Sequence, residues 1–148
     1  MVICDSRKTC YSIVIKDESS ACNLYAAEEL ADFLKKSTSV VFKICKENEV
    51  VGKYISLGNT SLFDKNIGKY DFSSFGTDGY ILKASGGNVF INGPTDRAVL
   101  FGVYGFLEKF LGIRFISADT TYIKSIEKLE ISDELDITDI PDFALRGY

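Results

Sequence analysis

The sequence of 148 residues contains no histidine and no tryptophan. Without histidine it lacks the general base of Ser–His–Asp and Cys–His sites and the commonest protein ligand of zinc. It also lacks an apolar run approaching the ~20 residues that a helix needs to cross a bilayer. These absences argue against nucleophilic hydrolase sites of both kinds, and they predict no membrane partner.

Basic residues are scattered, without a cationic stripe. The chain carries 17 Lys and Arg residues against 21 Asp and Glu residues, a formal net charge of −4. The acid excess is concentrated in residues 127–142, where acids alternate with apolar residues as on the solvated face of a strand. Nucleic-acid binding depends on clustered cations that neutralise phosphates, so we predict no nucleic-acid partner.

Motifs for cofactors and metals are missing as well. The sequence has neither G-x-G-x-x-G nor G-x-x-x-x-G-K-[ST], the glycine-rich patterns of dinucleotide and phosphate sites. The cysteines form no C-x-x-C pair and are expected to act as small buried apolar residues. We predict no cofactor and no metal site. The cysteines in question are Cys4, Cys10, Cys22 and Cys45.

No pair of carboxylates is placed for hydrolysis of a glycosidic bond, which needs carboxyl groups about 5–9.5 Å apart. Asp96 and Glu108 share one predicted helix, where a rise of about 1.5 Å per residue separates them by about 18 Å. Glu28 and Glu29 are adjacent and therefore point about 100° apart around a helix. We predict no catalytic residue in this chain.

What the sequence does contain is a regular alternation of strands and helices. Apolar residues recur at helical spacing over 22–36 and again over 95–111, where Thr95 can cap the start and Gly112 the end. The order predicts an α+β fold, a two-layer sandwich of a mixed, mostly antiparallel sheet with two main helices on one face. We predict a short helix over 61–64 and strands over 11–15, 40–44, 54–57, 79–84, 88–92, 113–116 and 129–137.

The helix over 95–111 is apolar on a surface wider than one sheet face covers. Gly102 and Gly105 each cost this helix about 1 kcal/mol relative to alanine unless another backbone approaches closely. We therefore expect it to be deeply buried or to pack against two layers. Its two stripes are Val99, Val103, Phe106 and Phe110, and Leu100, Tyr104, Leu107 and Leu111.

Three consecutive segments resemble a known family: D-G-Y-I-L over 78–82, N-V-F-I-N-G over 88–93 and R-A-V-L-F-G-V-Y-G-F-L-E over 97–108. They resemble the N-terminal domain of multidomain glycoside hydrolases, namely family 67 α-glucuronidases and related uncharacterised carbohydrate-active proteins. The likeness to the domain before the barrel of family 20 hexosaminidases is looser. Ala98 stands where the family commonly has glycine, and Phe101 where it commonly has tyrosine.

The likeness extends to the helix at 26–34, to L-G-I-R-F over 111–115 and to the tail over 140–148. In the family such a tail leads into a catalytic (β/α)8 barrel, which carries the catalytic carboxylates. The resemblance thus implies an N-terminal extension over 1–9, an accessory domain over 10–139 and the start of a linker over 140–148. It transfers no catalytic residue.

The function that the resemblance implies is a non-catalytic accessory domain of a glycosidase, packed against a downstream barrel of the same polypeptide. Either the helix surface or the open face of the sheet would meet that barrel. Arg97, Arg114 and Arg146 are the candidate interdomain contacts. Residues 1–5 lack the order of a secretory signal, and the compartment stays open.

Two other functions compete with this interpretation. An independent carbohydrate-binding module would bind a polysaccharide or oligosaccharide on exposed aromatic platforms. The absence of tryptophan and the inward spacing of most aromatics argue against it. A small protein-interaction domain unrelated to sugars is the third possibility.

Overall fold

The computed structural model describes residues 1–115 and 121–140, and this part of the chain holds ten strands and three helices. The strands are β1 (Val2–Asp5), β2 (Tyr11–Ile15), β3 (Ile44–Lys46), β4 (Lys53–Leu57), β5 (Tyr80–Ser85), β6 (Asn88–Asn92), β7 (Arg114–Phe115), β8 (Thr121–Tyr122), β9 (Lys128–Glu130) and β10 (Asp136–Asp139). The helices are α1 (Ala21–Thr38), α2 (Ser61–Asn66) and α3 (Asp96–Leu111).

Six of the strands form a mixed sheet in the order β10-β5-β6-β4-β2-β3. The pairings β2–β3, β2–β4 and β4–β6 are parallel, whereas β10–β5 and β5–β6 are antiparallel. Two further antiparallel pairs, β1–β9 and β7–β8, stand apart from this sheet. Four of the seven pairings in the described chain are therefore antiparallel, and the predicted mixed, mostly antiparallel arrangement is confirmed.

Helices α1 and α3 lie side by side on one face of the sheet, as predicted. The side chain of Ser20 accepts a hydrogen bond from the Asn23 N–H and that of Thr95 from the Ala98 N–H, which fixes both helix starts. The core between the helices and the sheet takes alternate residues from each strand. Ile13, Ile55, Leu57, Val89 and Ile91 of the sheet pack there with Leu30, Leu34, Val103, Phe106 and Leu107 of the helices.

Close approach of α3 to the sheet accounts for its two glycines. A Cβ added at Gly102 would lie 2.6 Å from Cγ2 of Ile91 on β6. One added at Gly105 would collide with the Tyr80 side chain on β5. Only glycine fits at both positions, because a larger side chain would collide with Ile91 or Tyr80. The two glycines lower the intrinsic helix propensity of α3 but allow close contact with the sheet.

The opposite face of the sheet carries a smaller aromatic layer, defined here as Phe63, Tyr70, Phe72 and Phe75. It covers Val14, Ile81 and Phe90 on the sheet. Tyr70, Phe72 and Phe75 form ring pairs with centroids 5.0–5.9 Å apart. These rings give residues 67–78 a packed position, although the segment's polar composition predicts no regular element.

Three predicted strands have different bounds in the structure. The strand predicted over 40–44 is wrong in its bounds, because only residues from Ile44 onward pair with β2. The tail predicted as one strand over 129–137 is two strands, and β9 pairs with β1 whereas β10 pairs with β5. The strand predicted over 113–116 is present as β7, and residue 116 lies outside the described residues. Local alternation cannot show which partner each segment finds.

Replacing Gly102 by alanine tests the contact between α3 and the sheet. We expect Gly102→Ala to lower the free energy of unfolding by about 1–2 kcal/mol, because overpacking against the buried Ile91 outweighs the gain of about 1 kcal/mol in helix propensity. Urea unfolding measures the change, with the exposed Lys109→Ala as the control on the same helix. A stabilised Gly102→Ala chain would contradict the close contact.

Candidate interdomain surface

The outward side of the helix layer presents apolar side chains to solvent. On α1, Leu24 is 44% and Tyr25 is 50% exposed. On α3, Leu100, Phe101 and Tyr104 are half-buried against the core. These five residues are called the helix-layer patch. They include Leu100 and Tyr104 from the second apolar stripe of α3, which the sheet leaves partly uncovered.

Tyr104 joins the two helices across this patch. Its hydroxyl donates a hydrogen bond to Oε2 of Glu29, at 3.1 Å, and its ring meets the Phe115 ring edge-on at 5.0 Å. Burial and then the negative charge of Glu29 raise the pKa of Tyr104 well above its usual range. The phenol therefore stays protonated at neutral pH and acts as a fixed donor between α1 and α3.

Arg97 lies at the start of α3, beside the patch. Its Nη2 is 3.3 Å from Oδ2 of Asp78, a carboxylate that is only 2% exposed. Its guanidinium carbon also sits 5.2 Å from the centre of the Phe101 ring. The Arg97 side chain nevertheless remains 66% exposed. Two partners thus hold the cation in position while much of it faces solvent.

The other two predicted arginines do not join Arg97. Arg114 is exposed on β7, beyond the opposite end of α3, about 24 Å away along a helix of this length. It lines a shallow cavity with Glu108, Tyr122 and Lys124. Arg146 lies outside the described residues. Of the two candidates that lie among the described residues, Arg97 is beside the helix-layer patch and Arg114 is not.

The described chain ends on the same side of the fold as α3. Strand β10 forms the outer edge of the sheet and pairs with β5, the strand under α3. The Tyr80 hydroxyl donates to Oδ2 of Asp139 at 3.0 Å. Burial, followed by this hydrogen bond and the charge of Asp139, raises the pKa of Tyr80 well above its usual range. The contact fixes β10 beside the helix just before residue 140.

The described residues assemble no cluster of potential metal ligands. Within residues 1–115 and 121–140, no three His, Cys, Asp or Glu side chains come together to hold an ion. The four cysteines are free thiols, and burial raises the pKa of Cys4 and Cys45. No helix in this part is long and apolar enough to span a bilayer.

Removing Arg97 tests whether its ion pair with Asp78 matters to the fold. We expect Arg97→Ala to lower the free energy of unfolding by about 1–2 kcal/mol, because the buried Asp78 carboxylate loses its charged partner, an effect reduced by the exposure of Arg97. Arg114→Ala, at an exposed position, should change it by less than about 0.5 kcal/mol. Chemical denaturation compares them, and equal effects would contradict the ion pair's role.

The raised pKa values of Tyr80 and Tyr104 predict a loss of stability in alkali. The folded protein holds phenol protons that the unfolded chain releases near pH 10, so this stability is full below that pH and falls as the pH rises above it. Denaturation midpoints on either side of pH 10 measure the fall. Tyr80→Phe should make it shallower, whereas the exposed Tyr122→Phe should not. Identical pH profiles for wild type and Tyr80→Phe would contradict the prediction.

Comparison with known families gives one match. A family model described as the glycosyl hydrolase family 67 N-terminus matches residues 4–106, more than half of the chain. No curated protein sequence matches the chain.

Solved structures share the fold at low sequence identity. A family GH115 4-O-methyl-α-glucuronidase with specificity for decorated arabinogalactans aligns with a TM-score of 0.66 and 13% identity, over 93% of this chain and 18% of that enzyme. The GH20 β-N-acetylhexosaminidase from Streptomyces coelicolor A3(2) aligns with a TM-score of 0.58 and 17% identity, over 95% of this chain and 25% of that enzyme. The chain therefore spans a quarter or less of each enzyme, and these likenesses concern the fold.

Proposed function

The chain belongs to the family of glycosyl hydrolase family 67 N-terminal domains, and on that basis we propose that it is the non-catalytic accessory domain of a glycosidase. In this proposal it packs against a (β/α)8 catalytic barrel that follows in the same polypeptide. The observation that carries the proposal is the apolar helix-layer patch beside the point where the described chain ends.

Two surfaces of the domain are candidates for contact with the barrel: the outer side of the helix layer, and the opposite side, which carries the aromatic layer. The face opposite the helices is covered by the aromatic layer, whose Phe63 and Phe75 are buried. On the outer side of the helices, Leu24 and Tyr25 are exposed, and the α3 residues of the helix-layer patch are half-buried. Docking on the outer side of α1 and α3 removes the apolar surface of these residues from water, which supports the helix layer as the docking face.

The position of the chain end supports the same face. Strand β10 lies beside α3 through its pairing with β5, so a segment leaving residue 140 starts next to the helix-layer patch. A short connection then suffices to bring a following domain onto α1 and α3. Interdomain contacts within one chain commonly bury about 600–1,500 Å² and mix apolar with polar residues. Arg97, held by Asp78 and Phe101, supplies a cation at the rim for a carboxylate on the barrel.

The chemistry of this domain is then structural. Within the described residues no three His, Cys, Asp or Glu side chains come together to hold an ion, and in this proposal the groups that break the glycosidic bond belong to the barrel. Family membership favours a parent enzyme that acts on α-linked glucuronic acid in carbohydrate metabolism. The GH115 neighbour, a 4-O-methyl-α-glucuronidase, is consistent with that substrate class.

A single charge in the patch tests the docking face. In the polypeptide that carries the following domain, we expect Tyr25→Asp to expose the interdomain segment and to speed its cleavage by a protease about tenfold, which corresponds to about 1.4 kcal/mol of lost packing. Tyr25 is already half-exposed in this domain, so the same change should leave the stability of the 148-residue chain nearly unaltered.

The matched control is Val41→Asp. Val41 is 72% exposed and lies outside the helix-layer patch, so the same charge there should not change the cleavage rate. Equal acceleration by both substitutions, or by neither, would contradict docking through the helix layer.

A further inference from the structure

A second candidate site lies on the opposite face of the sheet, near the aromatic layer. A cavity of about 380 Å³ opens there, at the carboxyl ends of the parallel strands β4 and β6. Its size is within the range of small-molecule sites, about 300–1,000 Å³. The lining side chains that matter below are Phe63, Asp64, Lys69, Tyr70, Phe72 and Asn92.

Asn92, which lines this cavity, carries a buried side-chain donor without an acceptor among the described residues. The residue is 1% exposed, and its Oδ1 accepts a hydrogen bond from the Gly93 N–H at 2.8 Å. Its Nδ2 has no acceptor within the part of the chain that the structure describes. A buried amide without a partner costs about 1–3 kcal/mol, so an oxygen atom that reached this group would be favoured.

The remaining lining combines an apolar wall with a charged rim. Tyr70 and Phe72 are half-buried, and their ring centres lie 5.0 Å apart. Asp64 and Lys69 are exposed and supply a carboxylate acceptor and an ammonium donor. A pyranose has an apolar C–H face and a rim of hydroxyl groups that both donate and accept hydrogen bonds. The apolar C–H face of the sugar corresponds to the wall formed by Tyr70 and Phe72, and its hydroxyl groups correspond to the charged rim.

We propose that the cavity binds one pyranose unit of a carbohydrate. The apolar face of the ring lies against Tyr70 and Phe72, and one hydroxyl oxygen accepts a hydrogen bond from Nδ2 of Asn92. A second hydroxyl donates to Asp64, while Lys69 donates to an oxygen at the rim. This site faces away from the helix-layer patch, so the proposal holds whether or not the barrel docks on the helices.

The test is a titration of the 148-residue chain followed by NMR. D-glucose and D-glucuronate serve as probes, because they share a ring and differ by the carboxylate that Lys69 would favour. Added up to about 50 mM, at least one of them should shift the Asn92 side-chain amide signal along a saturating curve, as expected for a weak site with a Kd near 1 mM. Acetate is the control for a carboxylate without a ring.

Two variants assign the effect to the named side chains. Asn92→Asp keeps an oxygen for the Gly93 N–H but removes the donor, and it should weaken sugar binding at least tenfold, read from backbone signals around the cavity. Asp64→Ala should weaken binding without touching the core, since Asp64 is exposed. The neighbouring exposed Lys65→Ala, which does not line the cavity, is the matched control and should leave the affinity unchanged.

Several results would overturn the proposal. They are the absence of a saturating shift with both sugars, the same shift with acetate at equal concentration, and unchanged affinity in Asp64→Ala. The Asp64→Ala result decides the matter even where Asn92→Asp fails to fold, because the exposed substitution leaves the buried floor of the cavity intact.

Discussion

The close approach of α3 to strands β5 and β6 is the contact on which the other features depend. Gly102 and Gly105 let the helix backbone come near Ile91 and Tyr80, where larger residues would collide. With α3 seated this closely, most of its first apolar stripe is buried, whereas Leu100 and Tyr104 of the second stripe are half-buried. The same contact holds Tyr80 under the helix, and Tyr80 in turn holds Asp139 and the edge strand β10 beside it.

The two faces of the sheet then differ in what they can bind. On the helix side, the apolar helix-layer patch has the fixed cation Arg97 at its border, a combination that suits contact with another folded domain. The opposite side ends in a small cavity with a buried amide and aromatic rings, which suits a small polar ligand. The two proposals thus concern opposite sides of one α+β domain, a domain interface on the helix layer and a ligand cavity on the other side.

The sequence predicts best what depends on neighbouring residues. The cap at Thr95, the successive strands within 79–92 and the two stripes of α3 follow from local spacing, and the structure contains all of them. The sequence predicts poorly those features that depend on residues far apart in the chain. The hydrogen bond between Tyr104 and Glu29 forms only when the chain folds, and so does the burial of Asn92 Nδ2, which has no acceptor among the described residues. The aromatic layer has the same origin, because three of its rings, Tyr70, Phe72 and Phe75, lie between α2 and β5 in a segment without helical or strand periodicity.

Side-chain footprinting by hydroxyl radicals tests the assignment of the helix layer as the domain interface most directly. It compares oxidation of the 148-residue chain with that of the longer polypeptide that includes the catalytic domain. Tyr25 and Phe101 should lose most of their reactivity in the longer polypeptide, while Tyr70 and Phe72 keep theirs. Protection of Tyr70 and Phe72 with unchanged reactivity at Tyr25 and Phe101 would place the interface on the side of the aromatic layer, opposite the helices, and would contradict the assignment.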